Sequence, residues 1–350
     1  MVDSRLSDPL CVGDQGVPQG SLLGPLCFII FYNDFPAVRE CGESILYADD
    51  DTDSCSDKNP ATLQNKIQHE ANLSTQWVHD NKLVCSGSKT KLLVIGTKEM
   101  RKSKLVNTNT KLSITVAGHL VEESQSERLL GLIVNNSLTW HHHLYGNEEH
   151  LGLLPKLSQR AGLVRKLSMV MPPDRFRIVA NGIFFSLLSF GIQIYGSVSG
   201  LVEYGEGQGR YQALTREDSK SIQVVLNVVL RAITNLENDT PVQQLLHASG
   251  FLSFHQMCAF STICTTQKIL MNKEPKPLYE TLVRAKPDVE RPRRHGSTLP
   301  YKLSISRESY LYQACRLHSQ IPESLASVEN VQEFKKKVRI WVKQNIPIYM

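Results

Sequence analysis

The chain has 350 residues, 41% of them hydrophobic and 21% charged, and a formal net charge of +5. That length accommodates two or three packed domains, and the balance excludes a collagen-like, coiled-coil or wholly disordered chain. The mild positive charge permits a nucleic-acid partner without requiring one.

The charge is unevenly spread. Asp3–Asp57 holds eleven acidic and two basic residues, Lys89–Lys111 seven basic and one acidic, and Arg284–Lys302 six basic and two acidic. An acidic patch between basic stretches suits a metal site beside a phosphate track, although on charge alone solvated surface is the better reading of such runs. The eight cysteines form no CxxC pair and no zinc-knuckle spacing, so they read as reduced thiols of an intracellular protein, nuclear or cytoplasmic. Ile178–Val202 is uncharged over 25 residues, but Asn181, Gln193, four serines and four glycines favour a buried helix pair over a membrane span.

In chain order, Gly24-Pro25 opens a helix predicted to run to about Val38. Ile45–Tyr47 reads as a strand, with Thr52–Ser56 returning beside it and Asp49 and Asp50 at the hairpin tip. Asn59-Pro60 starts a helix whose apolar face is Leu63, Ile67, Ala71, Leu73, Trp77 and Val78. Lys91–Gly96 is a predicted strand, Leu112–Val116 and Leu120–Val121 a hairpin around Gly118-His119, and Leu129–Val134 a further single strand. Helical periodicity then takes over near 141–170, with Pro155 expected to kink or divide it, and continues near 173–196, 215–236 and 241–271. Thr215-x-x-Asp218 resembles a capping box, and Thr240-Pro241 and Gly250 bracket a helix. Glu274–Glu280 and Lys286–Pro300 read as loops, and a last helix near 328–345 carries Phe334, Val338, Trp341 and Val342 on one face. The fold class is therefore α/β followed by mainly α, divided as 1–138, 139–236 and 237–350.

The chemistry concentrates in two segments. Asp49-Asp50 follow an apolar strand, and a tight turn projects adjacent carboxylates into one space, as hard divalent cations require. Gly16–Phe28 (GVPQGSLLGPLCF) offers Gln19, which both donates and accepts hydrogen bonds, and Gly20, where a backbone can approach a base or sugar closely. His141–His143 are consecutive, so on a helix they point apart and make a poor metal site.

Together, GVPQGSxLGPLxF and the YADD of Tyr47–Asp50 resemble motifs B and C of the palm of non-LTR, LINE or jockey-type retrotransposon reverse transcriptases. WVHDNKL with SKTKLLVIGT resembles motif D, and ERLLGLIVNNSLTWHHHL the primer-grip segment with the W-x-x-H that follows it. The likeness is strong over 16–145 and weak beyond. It implies RNA-directed DNA polymerisation, a nucleotidyl transfer in which a primer hydroxyl attacks a dNTP on an RNA template with two Mg²⁺ ions present. It also implies no membrane partner. Residue by residue, Asp49 and Asp50 would ligate Mg²⁺, Tyr47 and Ala48 would line the primer terminus, and Gln19 and Gly20 would face template and nucleotide. Lys89 would approach the phosphates and protonate the leaving pyrophosphate, and Leu130-Gly131 would belong to the primer grip.

The chain departs from the family pattern in three places. The family's first metal-binding aspartate stands on a palm strand well before GVPQGS, and only fifteen residues precede Gly16 here. Asp3, Asp8 and Asp14 lack that context. Without that carboxylate the polymerisation rate is expected to fall on the order of thousands-fold, and the palm to expose an open sheet edge. Asp51 intervenes before Thr52 and is expected to crowd the acidic pair. Ser86 or Gly87 stands near the place of a family asparagine. The isolated chain is expected to be an inactive retrotransposon-derived fragment. The alternatives are a non-catalytic nucleic-acid-binding relic, or part of a longer active polymerase.

Overall fold

The computed structural model describes residues 20–96, 111–196, 214–284 and 310–348. Gln19, the three early aspartates and the basic loop at 286–300 lie outside them. The described residues form two compact units, the first ending at Ser124 and the second beginning at Gln125, with Ile95 and Gly96 joined to the second. This division falls earlier than the expected boundary at 138.

In the first unit, α1 (Gly24–Tyr32) carries Pro25 in its first turn, where no backbone donor is needed, and a 3₁₀ turn follows at Phe35–Val38. The single helix expected over this stretch is interrupted at Asn33–Asp34. The antiparallel hairpin β1 (Glu43–Tyr47) and β2 (Asp50–Ser54) comes next, in the register Tyr47↔Asp50 and Glu43↔Ser54. Its turn is therefore Ala48-Asp49, one residue earlier than predicted, and Asp50 closes the ladder. Helix α2 (Pro60–Asp80) starts where the sequence indicated, because the Asn59 side chain accepts from Ala61 N–H at 3.0 Å.

The rest of this unit is a three-stranded sheet. β3 (Leu92–Leu93) runs parallel to β5 (His119–Ser124), which pairs antiparallel with β4 (Ser113–Val116). β3 is shorter than the six-residue strand expected, and the β4–β5 turn is Ala117-Gly118, since His119 already pairs with Val116. Leu92, Ile114, Val116 and Val121 pack under Leu63 and Ile67 of α2, while Tyr32, Phe35, Trp77 and Val78 form a second cluster in which Tyr32 and Phe35 both meet Trp77 edge-on.

The second unit opens on β6 (Ser126–Leu129) and β7 (Leu132–Asn135), an antiparallel hairpin. The single strand expected over Leu129–Val134 is thus folded in half. Leu130 and Gly131 both take positive φ, 45° and 89°, which a two-residue hairpin turn of this hand requires. Helices follow: α3 (His141–Tyr145), α4 (Leu153–Leu167), α5 (Pro173–Ala180), a π-turn at Asn181–Phe185, α6 (Ser186–Ser189), α7 (Ile192–Tyr195), α8 (Arg216–Thr234) and α9 (Val242–Ser249). Pro155 does not kink a long helix. It sits in the first turn of α4, where its missing N–H costs nothing, and the break lies in the 146–152 loop. One apolar core runs from Leu132 through Leu157, Phe184, Leu226 and Leu245 to Cys258.

A second core joins α10 (Phe254–Asn272) to α14 (Val331–Asn345) through Ile263, Phe334, Val338 and Val342. Between them lie α11 (Lys276–Arg284), where a loop was expected, α12 (Tyr310–Gln320) and α13 (Glu323–Ala326). At the start of α10, Gln256 completes a capping box with Ser253, and its amide also donates to the Ile346 carbonyl at 3.0 Å. No helix among the described residues is long and apolar enough to cross a membrane. The uncharged stretch from Ile178 is broken into the short pieces α5 to α7.

The β6–β7 turn supports a prediction about stability. A Cβ on Gly131 would come within 2.9 Å of the Phe190 ring as well as sitting at φ +89°. Gly131→Ala is expected to cost about 1–2 kcal/mol, mostly from the left-handed backbone. Gly162→Ala on open helix surface should instead stabilise by about 0.5–1 kcal/mol. Urea midpoints that move in the same direction for both variants would refute this account.

Candidate functional site

The acidic residues of the β1–β2 hairpin separate by strand alternation. Tyr47 pairs with Asp50 and Ile45 with Thr52 on one face, whereas Leu46 pairs with Asp51 and Ser44 with Asp53 on the other. The first face is open, with Ile45 and Tyr47 about two-thirds exposed. Ala48 holds φ 55°, a conformation that costs a non-glycine residue about 1 kcal/mol or more and that concentrates where geometry matters. It turns the chain so that Asp49 stands at the apex with Asp50 next to it, both exposed to solvent.

Asp51 does not crowd that pair as the sequence had suggested. It lies on the opposite face, accepting from Ser44 Oγ at 2.6 Å and from Arg39 Nη2 at 3.2 Å. Asp53 meets the same Arg39 nitrogen at 2.7 Å, and Glu70 of α2 approaches Nη1 at 3.7 Å. Arg39 also donates to Ser74 Oγ and to the Glu70 carbonyl, and its guanidinium lies over the Phe35 ring at 4.6 Å. The Arg39 and Glu70 side chains are only 4% and 3% exposed, so the site-bearing hairpin is fastened to α2 by a buried ion cluster. Glu70 further accepts from the backbone N–H groups of Glu40 and Cys41, which pins the loop leading into β1.

Three carboxylates share one guanidinium here. Burial, then repulsion from Asp51, raises Asp53 from 3.8 to about 6, with Arg39 opposing. A carboxyl group whose folded pKa lies above its unfolded value stabilises the fold when protonated. That contribution is complete below about pH 4 and is lost as pH rises through about 6. The stability difference between Asp53→Asn and the parent should therefore shift in the variant's favour between pH 4 and 6. Urea midpoints that differ by a constant amount across that range would contradict the assignment.

The remaining sequence-predicted residues fall as follows. Gly20 has φ 84° just before α1. Lys89 is exposed, in a turn where its N–H donates to the Ser86 carbonyl at 3.1 Å. The neighbouring Gly87 is buried, and a Cβ placed on it would come within 2.3 Å of the Val116 carbonyl oxygen, leaving no room for the side chain of an asparagine. Leu130 and Gly131 form the β6–β7 turn of the second unit. Among His141–His143, His143 is buried and its Nδ1 accepts from Ile133 N–H at 3.3 Å, whereas His141 is exposed beside Tyr145. The rings diverge as helical spacing requires. Sequence reasoning missed Arg39 and Glu70. The available signal was a glutamate inside the apolar stripe of α2, between Ile67 and Trp77.

Asp49 and Asp50 supply hard oxygen donors of the kind Mg²⁺ takes. Among the described residues, no group of three or more His, Cys, Asp or Glu side chains is placed to hold a metal ion.

Over about half its length the chain is similar to a retrotransposon reverse transcriptase. The relative is the RNA-directed DNA polymerase from mobile element jockey of Drosophila melanogaster, 22% identical over 193 residues, or 52% of this chain and 19% of the relative. The match thus spans about a fifth of that protein. No protein-family model matches the chain, and no solved structure does.

Proposed function

We propose that this chain is the part of a retrotransposon-type RNA-directed DNA polymerase that carries the acidic palm hairpin and the primer-grip turn. The observation that carries this reading is the Ala48-Asp49 turn, which sets two adjacent carboxylates at an exposed apex on a strand pair held from behind by Arg39. Similarity to the jockey polymerase supports it. In that role Asp49 and Asp50 would hold Mg²⁺, which when bound lowers the barrier to phosphoryl transfer by stabilising charge on the attacking and leaving oxygens. Tyr47 and Ala48 border the apex, where a primer terminus would lie. Lys89 would meet phosphate, and Leu130-Gly131 would support the primer strand. RNA template, DNA primer and dNTP are the corresponding ligands.

A two-ion site needs a bridging carboxylate beyond Asp49 and Asp50. Among the described residues no third such side chain stands with Asp49 and Asp50, and on that ground the chain by itself is proposed not to polymerise. Purified chain should bind an RNA–DNA template–primer with steep salt dependence yet incorporate no labelled dNTP with Mg²⁺ or Mn²⁺. Incorporation that disappears in Asp49→Asn would overturn the inactivity. Failure to bind the template–primer even at low salt would overturn the polymerase reading itself.

A further inference from the structure

We propose that the cavity beside the β6–β7 turn, walled by β6, α3 and α4, is a phosphate-binding site. It has a volume of about 180 Å³. A single water needs roughly 10–15 Å³, so a tetrahedral oxyanion fits with part of its hydration. All of its lining belongs to the second unit, and the assignment does not depend on the polymerase reading.

Three features identify the ligand class. The first is His143, which lines the cavity and is 93% buried, being 7% exposed. Its Nδ1 accepts from Ile133 N–H, so in the neutral ring the proton sits on Nε2. That Nε2 is buried and has no hydrogen-bond partner. Trp140 and Tyr195 pack against the ring at 6.0 and 4.9 Å between centroids, which restricts its orientation. A buried donor left unmatched is costly and calls for an acceptor.

The second feature is uncompensated positive charge. Arg128 of β6 and Lys156 of α4 both line the cavity, and neither makes an ion pair among the described residues. Burial and then the nearby Arg128 and Arg160 push the Lys156 ammonium downward. Burial and Lys156 push His143 down to about 4. Cations that destabilise one another around an unmatched N–H are relieved by an anion. Glu149 also borders the cavity, but it is exposed and ion-paired to neither cation, and His150 adds another ring nitrogen.

The third feature is the rim. Phe190 lines the cavity and is 56% exposed. It gives a flat apolar surface on which a sugar or base attached to the phosphate can lie.

The test uses the full chain with two probes. Inorganic phosphate is titrated while the His143 imidazole resonances are followed by ¹⁵N NMR. A fluorescent oligothymidylate is titrated by anisotropy at two salt concentrations. Phosphate is expected to shift the Nε2 signal, and Lys156→Gln to weaken its binding about tenfold or more. If the oligonucleotide responds too, with a salt slope reduced by about one in Lys156→Gln, the natural source is a polynucleotide backbone. If phosphate responds while oligonucleotide binding is indifferent to the substitution, the source is free phosphate or a mononucleotide. Arg128→Gln, at an exposed position, serves as a second variant should Lys156→Gln fold poorly. The proposal is overturned if phosphate leaves the His143 resonances unmoved, or if both variants melt like the parent and bind both probes as tightly.

Discussion

Arg39→Ala is expected to destabilise the first unit by about 3–5 kcal/mol, the range for removing one partner of a buried ion cluster. The size follows from what remains. Glu70 is 3% exposed in its side chain and would lose its guanidinium partner while still buried. Asp51 and Asp53, neighbours on one face of β2, would have no cation between them. The Phe35 ring would lose the guanidinium that covers it. Hydrogen exchange should show the loss as reduced protection throughout the β1–β2 hairpin and the middle of α2. Arg39→Ala combined with Glu70→Gln should cost less than the sum of the single changes, because the second substitution removes the stranded charge. Unchanged protection in the hairpin would mean the cluster is an idle surface network, worth little as such networks usually are.

Phe184→Ala is expected to cost about 3–5 kcal/mol, the range for emptying a fully buried aromatic site. Phe184 is 0% exposed, inside the core shared by α4, α8 and α9. The π-turn at Asn181–Phe185 places it there: the wider turn lets Phe184 and Phe185 both point inward, with centroids 5.4 Å apart in an edge-on contact. Arg160 secures the turn by donating to the Ile183 carbonyl at 2.7 Å. Relaxation of the surrounding helices into the space is therefore limited. A fall of less than about 1 kcal/mol in the urea-derived stability would show that the core collapses freely there.

Helix starts were the most legible features, because they depend on neighbours in sequence. Asn59-Pro60 caps α2, and Thr215 and Asp218 exchange both bonds of a capping box although the aspartate side chain is one methylene shorter than the usual glutamate. Gly250 ends α9 at φ 71°. The acidic hairpin was legible to within one residue of register. The β6–β7 turn was not, because Leu130 carries none of the chemistry of a turn residue. It holds φ 45° two residues before Leu132, which packs into the helical core. Arg39 was equally hidden. A single arginine in a loop says nothing about three carboxylates brought to it by a hairpin and by a helix turn some thirty residues on. Arginine burial is a property of tertiary structure.

The amide of Gln256 bonds to a carbonyl ninety residues further along the chain, and the helix it caps rests on Phe334, Val338 and Val342. On a ribosome, α10 therefore emerges long before the surface that covers it. Until residue 346 is made, Phe254 and Cys258 can pack on the earlier helices, but Ile263 on the other side of α10 lacks Phe334, Val338 and Val342, and closing so long a loop carries an entropic delay. A nascent chain arrested between α10 and α14 should accordingly be far easier for proteases to cut than one released after Ile346.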